Sequence, residues 1–219
     1  MSETAPDRRL FQITGADALT FLQGMVSNDV LPLAKAPGIV WAAILTPQGK
    51  YLADFFVVNT GDTLLLDIKD SIADATVRRL TMYKLRADVA FAPSPLTVTR
   101  GLGEAPTGTL NDPRHAALGW RGYGAPGHAP QIDWDAIRVA HIIPETSIEL
   151  LPDESYLLES HFERLNGVNF RKGCYVGQEV TARMKHKTEL RKGLTRVRIT
   201  GDANPGTPIL QGDKPAGTL

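Results

Sequence analysis

The chain predicts an α+β fold, and three features of its 219 residues carry that prediction. Strand-sized apolar runs at 39–45 and 51–58 flank the turn Thr46-Pro47-Gln48-Gly49, which is hairpin chemistry. A second hairpin signal, Asn59-Thr60-Gly61-Asp62, follows at once. Helical periodicities at 16–26 and 70–82 interrupt the strands without the regular alternation that a parallel βαβ sheet requires.

In chain order, a strand at 10–13 leads into a helix at 16–26, with Thr14 and Asp17 as a capping pattern and Leu19, Leu22 and Val26 on one face. Strands follow at 39–45, 51–58 and 63–67. The segment 70–82 reads as an amphipathic helix capped by Asp70, with Ile72, Val77 and Leu80 turned inward. Strands at 87–91 and 96–99 come next, and 101–127 is rich in Gly and Pro and reads as loop. A helix at 133–142 ends before Pro144, and helix-compatible stretches at 156–165 and 177–187 flank the single cysteine. From Leu190 onward the pattern changes to a strand at 194–199 and a turn-rich stretch, with a further strand opening at 217–219.

Composition bounds the function classes. The chain is 42% hydrophobic and 22% charged, enough apolar material for a core and no disordered signature. No apolar run approaches the roughly 20 residues of a membrane span, so no membrane partner is expected. The polar segment 1–9 is no secretory signal, and one cysteine fits a reducing compartment; the expectation is a cytoplasmic protein. Net charge is zero but unevenly spread. Residues 133–163 hold eight acids against Arg138, a balance of −7, and residues 171–196 hold eight bases against Glu179 and Glu189, a balance of +6. Such blocks either pair with each other or form a basic wall for an anionic ligand. Few aromatics interleave with the bases, which argues against direct single-strand nucleic-acid binding.

The lone cysteine, Cys174, follows Arg171-Lys172-Gly173 and precedes a helix start. Neighbouring cations and a helix N-terminus favour thiolate, while free cysteines are commonly small buried hydrophobes. Both readings stand. Gly173 and Gly177 permit unusual backbone turns, Gln178 and Glu179 lie in the first turn of the helix, and Glu179 is spaced to pair with Arg183. A single thiol provides no metal site by itself, so no metal is assigned.

Lys172-Gly173-Cys174-Tyr175-Val176-Gly177-Gln178-Glu179 resembles the signature of the YgfZ family of folate-binding proteins, relatives of the glycine-cleavage T protein that support iron–sulfur enzymes. Similar flanks are Leu165-Asn166-Gly167-Val168-Asn169-Phe170, Ile13-Thr14-Gly15-Ala16-Asp17, Phe21-Leu22-Gln23-Gly24, Thr46-Pro47-Gln48-Gly49-Lys50 with Asp54, and Asp112-Pro113-Arg114. The resemblance implies a ring-like aminomethyltransferase fold around a central channel. It divides the chain into an N-terminal folate-binding α+β subdomain (1–100), a second α+β subdomain with the motif (101–189) and the start of a small β-barrel (190–219).

It also implies tetrahydrofolate or a one-carbon derivative as ligand, with Trp134, Arg138 and Asp54 as binding residues. A second aromatic of the family's clamp is replaced around Arg8. Cys174 would be the reactive thiol, Lys172 would favour its thiolate, and Tyr175 would supply a phenolic hydrogen bond. The implied partners are iron–sulfur client proteins or assembly factors, with a connection to tRNA modification. Two acidic positions of the transferase relatives match Ala53 and Ala140, so aminomethyl transfer by their route is not expected. The alternatives are a one-carbon transferase with altered residues, or an adaptor that docks an acidic client or tRNA through 171–196.

Overall fold

A computed structural model describes residues 2–187 and 189–219. Its centre is a five-stranded antiparallel sheet built from β2 (Arg8–Thr14), β3 (Gly38–Leu45), β4 (Tyr51–Asn59), β5 (Leu64–Lys69) and β6 (Ala90–Pro93), in the order β3-β4-β5-β2-β6. The two hairpin turns join β3 to β4 and β4 to β5, as their sequences predict. A second sheet, in the order β1-β7-β9-β8, takes β1 (Ser2–Thr4), β7 (Thr97–Gly101), β8 (Leu110–Asn111) and β9 (Trp120–Gly124). A separate hairpin of β10 (Pro208–Gln211) and β11 (Lys214–Thr218) closes the described chain.

Both faces of the central sheet are buried, because alternate residues of its strands point opposite ways. Ala42, Ile44, Phe55 and Val57 pack under helices α1 (Ala18–Met25) and α2 (Asp70–Tyr83), joined by Leu22 and Leu80. On the other face, Trp41, Tyr51, Phe56 and Val58 meet Val98, Ile143, Leu157, Phe162 and Tyr175. Trp41 stacks on Phe162 with ring centroids 4.1 Å apart. Helices α3 (Trp134–Ala140) and α4 (Gln178–Lys187) and two short 3-10 turns, Leu31–Ala34 and Ala116–Leu118, complete the described elements.

Several sequence expectations are corrected. The loop expected over 101–127 contains β8 and β9: Gly122 pairs with Thr99 of β7, and glycine is needed there because a Cβ would stand 2.6 Å from Thr99 Oγ1. Residues 156–165 form turns rather than a helix, with His161 (φ 60°) in the left-handed region. Residues 194–199 form no strand. Asp17 makes no side-chain cap; its carboxylate accepts from the Asp88 amide instead, which ties the start of α1 to the strand side. Lys69, not Asp70, is the N-cap of α2.

Candidate functional site

The signature loop is fixed at both ends by groups far away in sequence. Gly167 lies so close to the Trp41 and Phe162 rings that a Cβ would come within 2.7 Å of each. Its carbonyl accepts from the Ser27 hydroxyl (2.6 Å), and Asn28 donates to the Asn166 carbonyl (2.6 Å). Lys172 then reaches across to α1. Its ammonium donates to the carbonyls of Val26 (2.6 Å) and Gln23, groups left without helical partners at a helix C-terminus. Gln23 returns the contact, donating from Nε2 to the Lys172 carbonyl (3.1 Å) and to Asp29 (3.0 Å). Burial pushes the Lys172 ammonium down to about 8, against the nearby Asp29 and Cys174.

Between these anchors Gly173 adopts φ 96° with open space around it, and Cys174 is exposed. The buried-hydrophobe reading of Cys174 is therefore set aside. Tyr175 turns the other way, into the core, with Lys172 Nζ 4.7 Å above its ring centroid. Burial raises its hydroxyl, whose side-chain partner is Thr181, so no phenol is offered to the thiol. Gly177 (φ 83°) packs on the β3–β4 turn: a Cβ there would lie 2.6 Å from the Thr46 carbonyl oxygen. Gln178 accepts from the Tyr175 amide (3.3 Å), and Glu179 is exposed in the first turn of α4. The motif's glycines and amide thus hold the loop's shape, and its cysteine alone faces solvent with a reactive atom.

A cavity of about 350 Å³ lies beside α3 and is lined by Trp134 and Arg138 together with Asp7, Lys69, Arg100 and Glu145. Trp134 donates to Glu3, which also accepts from the amides of Gln131 (2.7 Å) and Ile132 (2.9 Å). Arg100 covers one indole face at 4.5 Å. Arg138 is held by Asp135 and Glu149, both at 2.7 Å, and Lys69 by Glu145 at 2.8 Å. Two buried atoms of the wall have no hydrogen-bond partner among the described residues, Asp7 Oδ1 and Arg100 Nε. Burial raises the Asp7 carboxyl, but Lys69, Arg100 and Arg8 outweigh it and hold the group below its usual range. Burial lowers the Arg100 guanidinium. The wall therefore contains one buried acceptor without a hydrogen bond, Asp7 Oδ1, and one buried donor without one, Arg100 Nε, which ion-pairs with Glu3 Oε1 at 3.6 Å.

The remaining expected residues lie elsewhere. Asp54 does not line the cavity: it is 5% exposed and accepts from Trp41 Nε1 (2.8 Å), Tyr51 (2.6 Å) and Thr146 (2.6 Å). Ala53 points to the opposite face of the sheet, under α2, and Ala140 is exposed at the end of α3; neither lines the cavity. Their small side chains therefore carry no information about chemistry in that space. Arg8, at the expected aromatic position, forms a buried ion pair with Asp67 (2.7 Å), which Arg121 and Tyr123 also contact. The basic wall is partly spent, since Lys172 holds α1, Lys185 pairs with Glu163 and Arg196 donates to the Ala140 carbonyl. Sequence reading missed Asp7, Arg100, Glu3 and Gln23. Of these only Gln23 carried a signal, as part of Phe21-Leu22-Gln23-Gly24.

Among the described residues no three His, Cys, Asp or Glu side chains are grouped to hold a metal ion, and no helix is long and apolar enough to cross a membrane.

No protein-family model matches the chain. Curated relatives do. The chain is 33% identical to iron-sulfur cluster assembly factor IBA57, mitochondrial, of Mus musculus, over 89% of this chain and 65% of the mouse protein. It is 31% identical to the Homo sapiens protein of the same name, over 93% of this chain and 69% of that protein. For the homolog in Mycosarcoma maydis the identity is 29%, over 85% and 54%. The chain thus spans between about half and two thirds of these relatives' lengths. Among solved structures, glycine cleavage system aminomethyltransferase T from Bartonella henselae superposes with a TM-score of 0.67 at 12% identity, over 85% of this chain and 63% of that one. That likeness establishes the aminomethyltransferase fold. The relatives are named as mitochondrial proteins, which overturns the cytoplasmic expectation. A lone thiol fits any reducing compartment, so the cysteine content does not single out the cytoplasm.

Proposed function

The chain belongs to the family of the iron–sulfur cluster assembly factor IBA57, within the YgfZ-like branch of the aminomethyltransferase fold, and from that premise we propose that it is a folate-binding accessory protein for iron–sulfur cluster assembly or repair. The observation that carries the proposal is the exposed Cys174 on a loop clasped to α1 by Lys172 and Gln23. A thiol fixed in position but open to solvent suits contact with a second protein. It can serve as one ligand of a cluster shared with a client or as a transient nucleophile, but one sulfur cannot scaffold a cluster alone.

The cavity beside α3 supports a reduced folate as ligand. A pterin presents adjacent donors and acceptors, which the Asp7 carboxylate and the Arg100 guanidinium in the cavity wall complement, and Lys69 and Arg138 supply cations for a carboxylate tail. None of Cys174, Lys172 or Tyr175 lines the cavity, so ligand and thiol act at separate places. The test is replacement in cells deprived of their own counterpart. The parent chain is expected to restore the activity of an iron–sulfur-dependent enzyme, and Cys174→Ser is not. Full restoration by Cys174→Ser would remove the thiol from the mechanism.

A further inference from the structure

The C-terminal end of α2 displays what a soluble surface normally avoids. Met82, Tyr83 and Leu85 are 68%, 47% and 87% exposed. Leu85 is also in the left-handed region, at φ 48°, immediately after the helix C-cap Lys84. That place is usually taken by glycine, because a side chain there crowds the backbone. Leu85 therefore combines an unfavourable backbone with an unfavourable exposure. Around it stand Arg78, Arg79 and Arg86, all exposed, for which the described residues provide no hydrogen bond or ion pair. Residues 75–87 contain four cations, the fourth being Lys84, and no acid.

The helix geometry gathers these groups on one side. Ala73, Thr76 and Leu80 form the buried stripe of α2. Arg78 and Met82, and likewise Arg79 and Tyr83, are four residues apart, so two cation–apolar pairs lie side by side on the solvent face. The apolar tip projects outward, and none of Met82, Tyr83 and Leu85 lines the cavity beside α3. A projecting apolar tip with an amphipathic tyrosine and unpaired arginines behind it matches the interface of an anionic bilayer, where leucine and methionine enter the acyl boundary and guanidinium groups meet headgroup phosphates.

We propose that this end of α2 docks the protein peripherally on an anionic lipid surface. The contact is superficial, and is compatible with the lack of any spanning helix among the described residues. The charge match commits the surface to lipid phosphate.

The test is co-flotation of the full chain with phosphatidylcholine vesicles containing roughly one third phosphatidylglycerol, against vesicles of phosphatidylcholine alone. Partitioning to the anionic vesicles is expected, with a steep fall on adding salt. Each of Arg78→Gln and Arg79→Gln should lower it about five-fold. Leu85→Gly relieves the left-handed backbone, so its melting temperature should equal or exceed that of the parent while its partitioning falls about ten-fold. That pairing separates a docking role from a structural one. Absence of co-flotation, equal partitioning to both vesicle types, or an unchanged Leu85→Gly variant would each overturn the proposal.

Discussion

Replacing Asp54 distinguishes a residue that binds ligand from one that holds the fold. Its carboxylate accepts three side-chain hydrogen bonds, from Trp41, Tyr51 and Thr146, at 2.6–2.8 Å within the core. Asp54→Ala leaves all three donors buried and unpaired, at about 1–3 kcal/mol each. Release of a buried carboxylate offsets part of that cost, so a net loss of about 4 kcal/mol is expected. For a domain of this size, that loss lowers the melting temperature by about 10 °C or more. Asp54→Asn keeps one acceptor oxygen but turns an amide N–H toward a donor, and should fall between parent and Asp54→Ala. The assay is urea unfolding with tetrahydrofolate titration of the folded fraction. Unchanged stability together with lost folate affinity would refute the assignment and restore Asp54 as a ligand-binding residue.

Two further predictions follow from the motif loop and the buried ion pairs. Gly177→Ala, whose Cβ would press on the Thr46 carbonyl and Leu45, should cost about 2–4 kcal/mol in urea unfolding, whereas Gly173→Ala, with open space around it, should cost only about 1 kcal/mol from its backbone angle. Burial raises the fully enclosed Asp67, but Arg121 and Arg8 outweigh it and hold the group at about 2. Its folded pKa is thus below its unfolded one, so about 2 kcal/mol of stability is present above pH 4 and is lost as pH falls from about 4 through 2. Asp67→Asn should flatten that part of the stability–pH curve.

How much of this was legible in the sequence depended on how local each determinant is. The β3–β4 hairpin was legible because Thr46-Pro47-Gln48-Gly49 sets its turn without help from elsewhere. Strand β9 was not, because Gly122 and Gly124 read as loop until Thr99 is seen to fill the space beside Gly122. The helical pattern at 156–165 failed at His161, whose left-handed angle is not visible in residue periodicity. The motif itself was readable as a string of residues, but its clasp was not. Gln23 and Lys172 are 149 positions apart, and nothing in either neighbourhood names the other. Lys172 is expected to serve the thiol; its hydrogen bonds go to the end of α1, and Cys174 stays near enough to act on its charge. Asp7 and Arg100 lay in segments that read as ordinary polar surface, and became site candidates only once the fold had buried one atom of each without a hydrogen bond.

The most direct measurement is calorimetric titration of the chain with tetrahydrofolate, run in parallel on Asp7→Asn and Cys174→Ser. The parent and Cys174→Ser should bind alike, because the thiol lies outside the cavity, while Asp7→Asn should weaken binding about ten-fold or more through loss of a charged acceptor. No heat from the parent, or an affinity that depends on Cys174 and not on Asp7, would contradict a folate cavity that is separate from the thiol loop.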